Sequence, residues 1–148
     1  MSKLTLDQAS TIIDTALAKG QAAGFQPLGV AVMDAGGHLL AFKRHEKSSL
    51  LRPKIAMGKA SAVLNMGVGG RELARRASVM PALFFHALIE LSDGNMITLP
   101  GGVLIRDQDG EIVGSVGVSG DTSDNDELVA IAGVQAAGLV PDTGATLP

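Results

Sequence analysis

The stretch Glu111–Ser119, EIVGSVGVS, constrains this chain more than any other. Read as a strand, it sets Ile112, Gly114, Val116 and Val118 on one side and Val113, Ser115, Gly117 and Ser119 on the other. One face is mostly branched and the other nearly bare. A bare face admits a helix, a neighbouring backbone or a ligand at close range, because glycine and serine leave room there. Val103–Arg106 precedes it as a short apolar strand, with turn residues at Asp107–Gly110 between the two. Beyond it, Ser119-Gly120 and the carboxylates Asp121, Asp124, Asp126 and Glu127 lead into a helix over Asp124–Gly138. A site is expected within Leu99–Gly133.

Earlier in the chain, Thr5 and Gln8 form a capping box, and Leu6, Ala9, Ile13, Ala16 and Leu17 recur at helical spacing. Gly20 and Gly24 can end that helix. Leu28–Asp34 and Leu39–Arg44 read as a hairpin around Asp34-Ala35-Gly36-Gly37. Its pattern matches the later hairpin, which turn chemistry alone explains, since Asp and Gly are what such turns require. Pro53 opens a helix running to about Asn65, and Lys59 falls within its apolar stripe between Ile55 and Val63. The plain reading of Lys59 is a snorkelling side chain; the functional one is a cation beside a pocket. Gly67–Gly70 is read as a turn, because no Gly-Lys-Ser/Thr follows to make a phosphate loop. Arg71–Ala77 reads as a short helix, and Val79–Leu91 is apolar without a decisive period. Pro141–Pro148 reads as a frayed tail.

Composition narrows the function classes. At 148 residues the chain suits one domain, 1–148, with its core within about 6–138. There is no cysteine, which excludes disulfides, thiolate metal sites and a Cys nucleophile. A net charge of −3 and an aromatic content of 3% argue against a nucleic-acid surface. Met1–Thr5 shows no secretory signal and no segment is apolar enough to span a membrane, so a cytoplasmic protein is expected.

The acidic loop offers oxygens for a hard cation, but its spacing is not that of an EF-hand, and helix capping is the stronger reading. No metal site is expected. His38 reads as a solvated strand start, His86 as a core histidine, and His45 as a side chain able to reach over a pocket. No serine lies in a Gly-x-Ser-x-Gly elbow.

Taken together, VAVMDAGGHLLAFKR, IAMGKASAV, LPGGVLIRD and IVGSVGVSGDTSDNDELVAIAG resemble the GlcG/HbpS-like haem-binding family, whose domain also ends PduO-type proteins. The likeness runs from about Leu6 to Gly138. It implies an α+β fold with a central antiparallel sheet of about five strands flanked by helices, similar to profilin-like and roadblock-like folds. It further implies a homo-oligomer and a haem or corrinoid ligand. Where many members carry an Arg-x-Asp-Gly-Ala-like segment, this chain reads Arg44-His45-Glu46-Lys47-Ser48, a changed pocket rim.

The leading expectation is a non-enzymatic small-molecule binding protein. Its ligand would lie near Lys59, Gly101, Gly102, Ser119, Gly120 and Asp126. Without Cys or Tyr, a haem iron would look to His or Met, with His45 the foremost axial candidate. The alternative is an enzyme acting on a small organic acid, with Lys59 and Asp126 as acid–base or substrate-binding groups. A scaffold subunit with no ligand is the third.

Overall fold

The computed structural model describes residues 3–145. Among the described residues, five helices and five strands follow one another in this order: α1 (Leu6–Ala22), β1 (Gly29–Asp34), β2 (Leu39–Arg44), α2 (Arg52–Met66), α3 (Gly70–Val79), α4 (Ala82–Leu91), β3 (Gly102–Arg106), β4 (Ile112–Ser119), α5 (Ser123–Ala136) and β5 (Val140–Asp142). The strands form one sheet in the order β2-β1-β4-β3-β5, and every pairing is antiparallel. This is the α+β architecture expected from the sequence.

The capping box starts α1 as expected: Thr5 Oγ1 accepts from the Gln8 N–H, and the Gln8 side chain accepts from the Thr5 N–H. Helices α1 and α5 cover one face of the sheet. There Ile12, Ile13, Val129 and Val134 pack on Val30, Val32, Val103, Ile105, Val116 and Val118. On the other face α2 lies along β4, β1 and β3. Ala62 and Val63 form a smaller cluster there with Leu73, Met96 and Leu104. Burying branched side chains on one face stabilises by roughly 1.5–3 kcal/mol each. The other face is held by closeness of approach.

That closeness comes from the bare side of β4. A Cβ on Gly117 would stand 2.0 Å from the Ala56 carbonyl oxygen of α2. Two residues earlier, Ser115 Oγ donates to the Ala60 carbonyl at 2.8 Å. The room left by glycine and serine is therefore filled by a helix. The strand does not alternate cleanly, however. Ile105 opposes Gly114 and Arg106 opposes Ile112, so Val113 is an extra residue. This bulge turns Ile112 toward the Leu104 side and puts Val113 with Val116 and Val118, contrary to strict alternation.

Two further sequence expectations are corrected. Part of the supposed tail is strand β5, where Val140, Pro141 and Asp142 pair with Arg106, Ile105 and Leu104, and Arg106 Nε donates to Asp142 at 2.9 Å. Residues 146–148 of that tail lie outside the described residues. His86 is exposed on α4, because the buried side of that helix belongs to Phe85 with Leu88 and Ile89 behind it.

Candidate functional site

The sequence-nominated residues Lys59, Gly101 and Asp126 do meet, but inside the protein. Lys59 extends from α2 under the sheet, and its Nζ donates to the Val118 carbonyl at 2.9 Å and to Asp126 Oδ2 at 3.1 Å. Their side chains are 3% and 1% exposed. The snorkelling reading is thereby overturned, since a counter-charge and a carbonyl are available where the stem ends. Burial is the largest influence on both groups, pulling the Lys59 pKa below its ordinary value and pushing Asp126 above; their attraction opposes it. Asp126 Oδ1 also accepts from the Asp121 N–H at 3.0 Å.

Gly101 closes this cluster from the side of β3. Its φ of 112° is one that L side chains rarely adopt, and a Cβ there would come within 2.8 Å of Lys59 Nζ. Gly102 rests on the Lys59 carbonyl. Ser119 Oγ accepts from Arg52 Nη1 at 3.1 Å, and Gly120 abuts the Pro27 carbonyl. None of these six residues lines the cavities described below. They lock α2, β3, β4 and α5 together.

The acidic loop is likewise committed to partners within the chain. Thr122 caps α5 by accepting from the Asn125 N–H. Asp121 accepts from the Gln26 N–H at 2.7 Å, the main cause of its lowered pKa. Asp124 and Glu127 hold Arg71 of α3, with the Glu127 contacts the larger cause of that guanidinium's raised pKa. Among the described residues, no group of three His, Asp or Glu side chains is placed to hold a metal ion.

His45 sits elsewhere, and it does border a cleft. Leu17, Gln21, Phe25, Gln26, Pro27, Leu28, Arg44 and His45 enclose about 240 Å³ between α1 and the β1–β2 edge. The His45 N–H donates to the Leu28 carbonyl, and its Nδ1 accepts from the Lys47 N–H at 3.0 Å. That bond places the proton of a neutral ring on Nε2. Arg44 Nη1 donates to the His45 and Glu46 carbonyls, bracing the loop. A larger cavity of about 640 Å³ between the two hairpin turns, walled by Leu4, Leu40 and Ile112, has no imidazole on it. Nor has one of about 400 Å³ between α2 and α4.

Cluster and cleft are joined through one short segment. Gly120 and Asp121 grip Gln26-Pro27-Leu28 from behind, and the same three residues form the cleft wall. Sequence reasoning missed that wall, and it missed Arg52 and Arg71. Leu17 and Phe25 look like ordinary core residues, and Arg71 meets Glu127 only after a long excursion of the chain. Only the polar run after β2 hinted at a rim.

A three-layer α+β domain, with one buried Lys–Asp pair beneath its sheet and an apolar cleft at its edge, is the class these features define. A family model described as "Haem degrading protein HbpS-like" matches residues 4–135. The chain belongs to this HbpS-like family. It is 30% identical over 104 residues to a 15.0 kDa protein from the dhaT–dhaS intergenic region of Citrobacter freundii, covering 70% of this chain and 71% of that one. Among solved structures, the PduOC:heme complex superposes with a TM-score of 0.83 at 22% identity, over 97% of this chain and all (100%) of that one. HbpS of Streptomyces reticuli, solved as a double mutant, gives a TM-score of 0.76 at 26% identity, over 91% and 87% of the two chains.

Proposed function

We propose that this protein binds haem at the cleft between α1 and the β1–β2 edge, with His45 as axial donor. The observation that carries the reading is an imidazole on the wall of an apolar cleft in a member of the HbpS-like family. A PduOC relative of the same fold has been solved with haem, which favours this ligand over others. Leu17, Phe25 and Leu28 offer apolar surface to a flat macrocycle, and Arg44 offers a cation to a propionate. Bound haem supplies an iron whose redox and ligand chemistry the axial imidazole tunes.

The donor set fits at a modest cost. Nε2 can ligate iron only if the ring proton moves to Nδ1, which gives up the bond from Lys47, about 0.5–1.5 kcal/mol. The cleft is smaller than the roughly 300–1,000 Å³ of a whole ligand pocket, so Leu17, Phe25 and Leu28 would cover only part of the ring. Lys59, Gly101, Gly102, Ser119, Gly120 and Asp126 act as the frame behind the wall and do not touch the ligand. This favours binding over catalysis by Lys59 and Asp126, whose charges are spent on each other. A homo-oligomer within the cytoplasm completes the reading.

Haemin titration followed by Soret absorbance tests it, with hydroxocobalamin as the corrinoid arm. Saturable Soret binding that is lost in His45→Ala and kept in His38→Ala and His86→Ala is expected. Absence of saturation sinks haem binding, and an unaltered His45→Ala spectrum sinks the site.

A further inference from the structure

Two groups of opposite character flank one nitrogen of the His45 ring. The Lys47 N–H donates to Nδ1 at 3.0 Å, and Glu46 Oε2 stands 3.6 Å from the same atom. The amide suits a ring whose Nδ1 is bare, the carboxylate a ring whose Nδ1 carries the proton. Ligation of a metal through Nε2 demands the second state, and the N–H it creates on Nδ1 needs an acceptor.

The turn that carries Glu46 holds it ready for that part. The His45 N–H donates to the Leu28 carbonyl, and the Ser48 N–H donates back to the His45 carbonyl at 3.0 Å. Arg44 Nη1 donates to the His45 and Glu46 carbonyls at 3.2 and 3.3 Å. The backbone between ring and carboxylate is thus fixed, while the Glu46 side chain is 82% exposed and free to turn. Among the described residues its carboxylate faces no cation but this ring. Closing the gap to roughly 2.7–2.9 Å, the length of a charge-assisted bond, takes side-chain rotation alone.

We propose that Glu46 is the positioning residue of the haem site: its carboxylate accepts from His45 Nδ1–H when Nε2 faces the iron, and the site thereby selects ferric over ferrous haem. The inference rests on the haem-binding reading above. A charge-assisted bond is roughly twice as strong as a neutral one, so it offsets the bond given up by Lys47. It also fixes the ring proton on Nδ1 and turns Nε2 outward. An anionic acceptor makes the imidazole a stronger donor, and a stronger donor favours the more highly charged iron. Water at Nδ1 would accept the proton equally well but bring no charge. Glu46 acts through His45 and does not touch the iron.

Redox titration of the haemin-loaded full chain tests this, comparing wild type, Glu46→Ala and Glu90→Ala. The last removes the same charge from α4, on the other face of the sheet. In Glu46→Ala the ratio of ferric to ferrous haem affinity is expected to fall about tenfold, which raises the midpoint potential by about 59 mV. The iron–imidazole stretch in resonance Raman spectra of the reduced protein should move to lower frequency, since a ring without an anionic acceptor bonds iron more weakly. Glu90→Ala should match wild type in both. Haem bound through His45 with potential and stretch indifferent to Glu46→Ala, or shifted equally by Glu90→Ala, overturns the role of Glu46 and leaves haem binding standing. Absent Soret saturation, or a His45→Ala spectrum like wild type, overturns the haem site itself and the role of Glu46 with it.

Discussion

The β1–β2 and β3–β4 hairpins are the same local object in two different places. Asp34 Oδ1 accepts from the Gly36 and His38 N–H groups, as Asp107 Oδ1 does from those of Asp109 and Glu111. Gly37 and Gly110 take nearly the same φ, 82° and 84°. Both pairs begin on glycine, Gly29 opposite Arg44 and Gly102 opposite Gly117, and both second strands carry an extra residue, Leu40 or Val113. The likeness thus reaches past turn chemistry into register and bulge. Yet β4 is central and covered on both faces, whereas β2 is an edge strand with Lys43 and Arg44 exposed. Equivalent backbones carry Gly117 under a helix and Arg44 beside a cleft. Local sequence makes the hairpin; its neighbours decide what each position does.

The contrast can be broken most forcefully at the buried charges. Asp126→Ala leaves Lys59 without its counter-ion in the interior, and a loss of about 3–5 kcal/mol in urea unfolding is expected. Lys43→Ala on the edge strand, which breaks a solvent-exposed pair with Asp14, is expected to cost under about 1 kcal/mol. Similar losses for the two would show that the centre of the sheet holds no special polar clamp.

At the matched positions, Gly117→Ala forces a methyl against the Ala56 carbonyl and is expected to destabilise by about 1–3 kcal/mol. Arg44→Ala should stay within about 0.5 kcal/mol of wild type in the same melts. A tolerated Gly117→Ala would mean that α2 can lift from the sheet.

The smallest effect lies at the first turn. The His38 N–H, above all, holds the Asp34 carboxyl below its usual pKa of 3.8. A depressed carboxylate contributes stability that is fully present above 3.8 and lost as pH falls through the folded value. The advantage of wild type over Asp34→Asn is therefore expected to be below about 1 kcal/mol at pH 6, since solvent screens so exposed a group, and to vanish once the pH falls below the folded value. An advantage that stayed constant with pH would assign it to turn shape alone.

Much of the fold is legible in the residues. Asp with Gly marks both turns, Thr5 and Gln8 mark the start of α1, and the branched side of β4 marks a core. The clamp was legible in part, because Lys59 on an apolar stripe and an acidic loop each announce a group in need of a partner. The bulge at Val113 was not, since it depends on how β3 pairs. Neither was strand β5, whose Pro141 reads as a stop until an open edge of β3 offers hydrogen bonds.

What the sequence by itself determined is short-range: turns, caps, periodicity and the absence of thiol chemistry, all set by residues within a few positions of one another. The tertiary structure alone decided that the bare face of β4 receives α2, that Lys59 and Asp126 neutralise each other, and that His45 borders a cleft. Those outcomes join residues far apart in the chain, and the energy of a buried charge or a close backbone contact exists only once both partners have been brought together.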